Sequence, residues 1–346
     1  MKILILGANG FIGSHLVQGI LDETDWSVSA FDLSGSNLEA YADGPRFSFR
    51  QGDIFTDDDW LRRAVADSDV VLPLAGIAKP SYYLSKPLWT FELDFEQNLK
   101  IVRMCVEADR RVIFPSTSEV YGMSTDTVLK EDESPLIVGP IGKMRWIYSC
   151  GKQMMDRVIT AYGQERGLRY TLFRPFNWIG AGLDSIFESK EGSSRVVTQF
   201  LGHIVRGEPI KLVDGGAQKR AFADVTDGIS ALMRIIENPD GVASGKIYNI
   251  GNPKNNYSIR DLAALMLDLA RQYPEYAESV AKVKVLETTS GEYYGKGYQD
   301  TQHRVPKIAN TMADLGWAPK VTFEDALRGI FEAYRCDVAE ARKLMD

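Results

Sequence analysis

The chain has few of the residues that bind metals or form disulfides: three cysteines and three histidines in 346 positions. Cys105, Cys150 and Cys336 fit no metal-ligand or redox spacing and suit a reducing cytoplasm, so no metal is expected. No stretch approaches the roughly 18–20 apolar residues of a membrane span. The apolar run Ile3–Leu6 is too short for a signal peptide and leads straight into glycines. These absences predict a soluble, cytoplasmic protein with no membrane partner. Basic charge is also short: a net charge of -7 argues against nucleic acid as the partner, although a local basic pocket for a small anion stays possible. The chain shows no internal repeat and no low-complexity segment. What remains is ordinary globular material, 45% hydrophobic and 25% charged, long enough for one large domain or two unequal lobes.

The first half alternates between two periodicities. Met1–Leu6, Trp26–Phe31, Arg111–Phe114 and Tyr170–Phe173 read as buried strands, and Val70–Leu74 is a further apolar run. Phe11–Leu21, Phe91–Glu107 and Ile147–Arg166 read as helices, the second with Phe95, Leu99, Val102 and Val106 on one face. Strands alternating with helices imply a parallel sheet covered on both sides. After Asn177 the pattern loosens, and glycines and charges dominate 180–195 and 286–304.

Strand Ile3–Leu6 runs into Gly7-Ala8-Asn9-Gly10-Phe11-Ile12-Gly13. Gly7 and Gly10 allow a tight turn and a close approach to a pyrophosphate, and Gly13 lets the helix pack on the strand. Glycines alone are weak evidence, but here they follow a strand and open a helix. Asp32 ends the second strand, where a carboxylate holds adenosine ribose hydroxyls and repels the extra phosphate of NADP, so NAD is the expected cofactor. Asp53 and Ile54 follow the third strand, placed to bond the adenine, although an Asp there is more often a turn former. Phe11 and Ile12 within the motif, and Leu74 and Ala75 after the fourth apolar run, complete the expected cofactor contacts. The fold class is therefore α/β, a doubly wound parallel (Rossmann) sheet with a smaller mixed C-terminal substrate lobe. The expected division is 1–177 for NAD, with later returns at roughly 222–252, and 178–346 mainly for substrate, interleaved.

Tyr148 and Lys152 stand four residues apart and so share one helix face. A free tyrosine titrates near 10 and is a poor base at neutral pH, but a nearby ammonium and a positive nicotinamide ring both favour phenolate. Such a phenolate takes a hydroxyl proton while hydride leaves the same carbon. Tyr-x-x-x-Lys is common by chance. Its weight comes from the dinucleotide motif and from the strand-end cluster Pro115-Ser116-Thr117-Ser118, whose Thr117 or Ser118 would bond the same oxygen.

Together with Glu119-Val120-Tyr121-Gly122 and Arg174-Pro175-Phe176-Asn177, these motifs resemble the extended short-chain dehydrogenases, which include sugar-nucleotide epimerases, dehydratases and decarboxylases. The resemblance covers nearly the whole chain. Within the family it is nearest to the UDP-glucuronic acid decarboxylase domain of the bifunctional enzymes of 4-amino-4-deoxy-arabinose synthesis. It rests there on Phe91–Glu96, Gly192–Arg195, Ile210–Gly216 and the long, unusual Tyr294–Asp300. The formyltransferase half of those enzymes has no counterpart here, so the expectation is oxidative decarboxylation alone.

The resemblance maps Ser118, Glu119 and Arg304 onto the reacting sugar. It implies that Asn177, Arg195, Lys211, Arg220 and Tyr298 hold the UDP portion, with Tyr83 as a weaker candidate; singly, each would more often be plain surface chemistry. The related plant apiose/xylose synthases carry cysteine where this chain has Ser118, which speaks against ring contraction. The implied reaction oxidises UDP-glucuronate at C4 and releases carbon dioxide and a UDP-4-keto-pentose. The competing readings are a UDP-xylose synthase that re-reduces the ketone, a UDP-glucuronate 4-epimerase, and a dinucleotide sensor without catalysis. A homodimer is expected through Phe95, Leu99, Val102 and Val106 with Met155, Val158, Ile159 and Tyr162.

Overall fold

The computed structural model describes residues 1–187, 195–294 and 304–343. Its centre is a seven-stranded, wholly parallel sheet. In chain order the strands are β1 (Lys2–Leu6), β2 (Ser27–Asp32), β3 (Phe47–Gln51), β4 (Val70–Pro73), β5 (Arg111–Pro115) and β6 (Tyr170–Pro175), with Lys246–Ile250 last. Across the sheet they run Lys246–Ile250, β6, β5, β4, β1, β2, β3. The order reverses between β1 and β4, which opens a crevice at their C-terminal ends. β1 pairs Ile5 with Ala30 on one side and with Leu72 on the other. Ile3, Leu4, Ile5 and Leu6 are fully buried, as a strand covered on both faces requires.

Helices Phe11–Glu23 and Val225–Glu237 pack on one face, where Leu16, Ile20, Leu232 and Ile236 share a core. Helices Asn98–Glu107 and Trp146–Arg166 cover the other face, with Ile101, Val102, Met155 and Ile159 inside. The chain beyond β6 builds a third core from helices Val196–Arg206, Ile259–Ala270 and Phe323–Ala333. Strand pairs of two to four residues edge that lobe.

The single helix read over Phe91–Glu107 differs in the structure. The segment is α-helical over Pro87–Phe91, takes a π turn over Glu92–Gln97, and resumes as α-helix over Asn98–Glu107. The Asn98 side chain donates to the carbonyls of Leu93 (3.0 Å) and Asp94 (3.3 Å), satisfying acceptors inside the wider turn. The extra residue swings Asp94 into the interior, where it is 1% exposed. The two apolar stripes also divide. Val102, Met155 and Ile159 belong to the chain's own core, whereas Phe95, Leu99, Val106, Val158 and Tyr162 are half-buried.

Candidate active site

The glycine turn after β1 sits in the crevice. Gly7 has φ +87, and a Cβ there would meet the Ala75 nitrogen at 2.6 Å and the Leu74 carbonyl carbon at 2.8 Å. Leu74 and Ala75 thus close over the turn from the end of β4. A Cβ on Gly13 would lie 2.3 Å from the Gly7 carbonyl, so only glycine allows this helix to start so near the strand. Gly10 caps helix Phe11–Glu23 with no side-chain hydrogen bond, which leaves the helix's first N–H groups to an anion. Asp32 accepts the N–H groups of Asn9 (2.9 Å) and Leu33 (2.7 Å) at the end of β2. Burial raises its pKa, against those hydrogen bonds. Open glycine turn, uncapped helix start and strand-end carboxylate fit a dinucleotide. Asp53 organises its own turn, accepting the Phe55 N–H at 3.0 Å, and Ile54 is buried beneath it.

Tyr148 and Lys152 lie on helix Trp146–Arg166 and face β5. Lys152 donates to the Pro115 carbonyl at 3.0 Å, and its ammonium is 5.8 Å from the centre of the Tyr148 ring. The Thr117 side chain hydrogen-bonds the Tyr148 hydroxyl. Thr117 also caps the 3-10 turn Ser118–Tyr121 through the Glu119 N–H, at 3.1 Å, which directs Glu119 into the site. Ser118 is buried on the same turn. The Tyr148 pKa is raised, first by burial and then by the negative charge of Asp94, while Thr117 pulls it back. By itself the site therefore holds a phenol, and added positive charge is needed to make it a base.

Tyr83 packs against Tyr148. It is 3% exposed, stacks on Tyr148 with ring centres 4.5 Å apart and planes 6° apart, and donates to the Ile77 carbonyl at 3.3 Å. Helix Pro80–Ser85, which Pro80 starts directly after the β4 loop, places it beneath the Tyr148 ring.

The outer wall is cationic. Arg145, Asn177, Arg195, Lys211, Arg220 and Arg304 line one cavity of about 230 Å³, with Glu119 as its acidic member. Glu119 is gripped from both sides: Oε2 accepts from Arg145 Nη2 at 2.5 Å, and Oε1 pairs with Arg304 Nη1 at 2.5 Å. Burial alone would raise the Glu119 pKa, but Arg145 and Arg304 more than offset it and hold it down to about 2. Arg145 is 1% exposed and lies over the Trp146 ring, 4.5 Å from its centre. Arg195 is anchored to Asp184 at 3.1 Å. Asn177 adopts φ +42 just past β6 and donates to the Ala221 carbonyl at 3.2 Å. Tyr298 lies outside the described residues. Sequence reading missed two members of the site. Arg145 stands three residues before Tyr148 and outside every recognised motif. Asp94 was visible only as part of a motif without a role.

Behind the reacting groups is a buried polar network. Arg174 donates to Asp156 (3.0 Å) and to the Tyr121 hydroxyl (2.9 Å), Ser116 donates to Asp156 (2.9 Å), and Tyr121 donates to Asn249 Oδ1 (2.7 Å). It joins helix Trp146–Arg166, the Ser/Thr loop, β6 and the strand Lys246–Ile250. Among the described residues no helix is long and apolar enough to cross a membrane, and no group of His, Cys, Asp and Glu could hold a metal.

Comparison with solved structures places this arrangement. The chain is similar to PbgP3 protein from Burkholderia pseudomallei, with 59% identity, a TM-score of 0.90, and coverage of 99% of this chain and 98% of that one. It shares its fold with a double mutant of DesIV, the dTDP-glucose 4,6-dehydratase of Streptomyces venezuelae, solved with NAD and DAU bound (23% identity, TM-score 0.80, coverage 99% and 100%). The UDP-glucose 4-epimerase of Thermotoga maritima, solved with UDP-glucose, is similar in fold as well (21% identity, TM-score 0.79, coverage 98% and 100%). The model of the NAD dependent epimerase/dehydratase family matches residues 3–251. On these matches the chain belongs to the NAD-dependent epimerase/dehydratase family, and NAD is its cofactor.

Proposed function

We propose that the protein is a UDP-glucuronate decarboxylase that oxidises the sugar at C4, releases carbon dioxide and delivers a UDP-4-keto-pentose. The observation that carries this reading is the cavity wall, where, among the described residues, Arg145, Arg195, Lys211, Arg220 and Arg304 line the cavity with Glu119 as its carboxylate. A nucleoside diphosphate alone engages the outer cations, and Arg and Lys suit it. Arg304, paired with Glu119 at 2.5 Å on the same cavity wall, is placed to orient an additional anion on the sugar. The other solved relatives named above were bound to nucleotide sugars or nucleotides, which favours the same substrate class.

Bound NAD supplies the hydride acceptor. Tyr148 takes the C4 hydroxyl proton, with Thr117 or Ser118 bonding the same oxygen. Lys152 holds positive charge near the phenol, which favours its ionised form. Oxidation leaves a β-keto acid. The bond from C5 to the carboxylate then breaks, carbon dioxide departs, and the electron pair spreads into the ketone as an enolate. Tyr148 and the neighbouring hydroxyls stabilise the enolate oxygen, and a proton returned to C5 completes the ketone. Arg304 orients the carboxylate for this cleavage, and Glu119 fixes Arg304.

An NMR product assay with UDP-glucuronate and NAD tests the proposal. Carbon dioxide and NADH are expected in equal amounts, with a ketone or its hydrate as the main sugar nucleotide. UDP-xylose without accumulated NADH would instead make the enzyme a xylose synthase. A product that keeps its carboxylate would make it an epimerase.

A homodimer is part of the same reading. Phe95, Leu99, Val106, Val158 and Tyr162 remain half-buried, and Met154 on the catalytic helix is 50% exposed. Paired across a two-fold axis, the two helices bury this surface against its own copy. Light scattering at micromolar concentration is expected to give twice the chain mass, and a monomer mass would refute the dimer.

A further inference from the structure

The chain keeps a carboxylate buried beside its catalytic lysine. Asp94 Oδ1 lies 3.3 Å from Lys152 Nζ, with side-chain exposures of 2% and 4%. Its other oxygen accepts the Ile77 N–H at 3.0 Å, in the loop after β4. Two independent features bring it there. The π turn Glu92–Gln97 rotates it inward, and such one-residue insertions in a helix concentrate at functional sites. Opposite, Gly76 makes room: a Cβ at that position would fall 2.6 Å from Asp94 Oδ1. Asn98 ties the same turn to the crevice by donating to the Ala75 carbonyl at 3.2 Å.

Stability alone does not account for this carboxylate. Burial raises the Asp94 pKa even against the attraction of Lys152, so its charge is held in a place that disfavours it. That charge also works against phenolate at Tyr148. The titratable and charged groups that interact with it are Lys152, Tyr148 and Tyr83. What Asp94 provides is a fixed location for the ammonium. Lys152 is held between the Pro115 carbonyl on β5 and a carboxylate anchored to the β4 loop, on the cofactor side of the crevice.

We propose that Asp94 is a positioning residue that acts through Lys152, fixing its ammonium where the dinucleotide and Tyr148 both meet it. The proposal rests on the assignment of Lys152 to the NAD site, but not on the identity of the sugar. Its main test needs no sugar. Asp94→Asn is nearly isosteric, keeps an acceptor for Ile77 and removes only the charge. NAD affinity is measured by calorimetry for this variant in two backgrounds, wild type and Lys152→Met. The expected result is NAD binding about tenfold weaker in the wild-type background and less than about twofold weaker when Lys152 is already gone. Equal losses in the two backgrounds, or no loss in the first, would overturn the proposal. Asp94→Ser, run in the same two backgrounds, is judged by the same outcomes and serves if the Asn variant fails to fold. A second readout separates positioning from simple scaffolding. Once Asp94 no longer holds the Lys152 ammonium, the acidic limb of the pH profile for NADH formation is expected to move to higher pH, because the charge that favours phenolate at Tyr148 is displaced, and a shift to lower pH would show Asp94 acting only as a charge opposed to phenolate. A limb that stays in place while the rate falls uniformly would mark Asp94 as scaffold only. If wild-type enzyme forms no NADH from UDP-glucuronate, the substrate assignment fails, and the affinity cycle still decides the role of Asp94.

Discussion

Tyr148→Phe is expected to lower NADH formation by about 10²–10⁴-fold, the range associated with losing one positioned general base. Binding should survive. The ring remains to stack against Tyr83, 4.5 Å away, and Lys152 keeps its bond to Pro115. Only the hydroxyl, with its hydrogen bonds to Thr117 and Tyr83, is lost. NAD affinity within a few-fold of wild type, together with a collapsed turnover, is the signature of a group that matters in the transition state rather than in the ground state. Steady-state kinetics and calorimetry check it, and near-normal turnover would remove this helix face from the chemistry.

The second large effect is expected at Glu119. Glu119→Gln removes the charge between Arg145 and Arg304, both nearly buried, and leaves two guanidinium groups facing each other. Breaking a buried charge cluster in this way costs about 3–5 kcal/mol, so the melting temperature should fall along with activity. NAD affinity should stay unchanged, since neither arginine borders the glycine turn. Arg304→Ala breaks the same buried pair with Glu119, so it too should lower the melting temperature, and in addition it should raise KM. It loses a charge-assisted contact worth about 1.5–3 kcal/mol to the substrate carboxylate. The pH dependence follows from the sign of the shift. With its folded pKa held down to about 2, Glu119 contributes stability that is fully present above its ordinary carboxylate value and is lost as pH falls through about 2. It is ionised throughout the neutral range, so a kcat profile between pH 5 and 9 should carry no limb from Glu119. An acidic limb that disappeared in Glu119→Gln would contradict this and make Glu119 a proton carrier.

The parts of this site readable in the sequence were those encoded by short spacing. Gly7, Gly10 and Gly13 lie within one turn, and Tyr148 and Lys152 within one helical repeat, so local geometry determines their relation. The cavity cations Arg195, Lys211, Arg220 and Arg304 came from resemblance alone, because they converge from separate elements of the second lobe. Arg145 and Asp94 escaped notice for a physical reason. Each acquires meaning only through a partner far away in the chain, Glu119 for one and Lys152 for the other. The π turn escaped because adding one residue to a helical turn barely alters the apolar period. The stacking of Tyr83 on Tyr148 was not legible, because it depends on the short helix Pro80–Ser85 folding back onto helix Trp146–Arg166.

The strand Lys246–Ile250 has a consequence for how the protein is made. It is the outermost strand beside β6, yet its Asn249 accepts the hydrogen bond of Tyr121 and donates to the Leu129 carbonyl at 3.0 Å. A chain emerging from the ribosome can pair β1 to β6 early and join Ser116, Asp156, Arg174 and Tyr121 to one another, but the Tyr121 hydroxyl proton and the Leu129 carbonyl meet Asn249 only after that strand has been synthesised. Nonlocal contacts of this kind slow folding and leave a partly built sheet with an open edge in the meantime. A chain truncated before Lys246 is therefore expected to keep an open edge at β6 and to leave the Tyr121 hydroxyl without its acceptor.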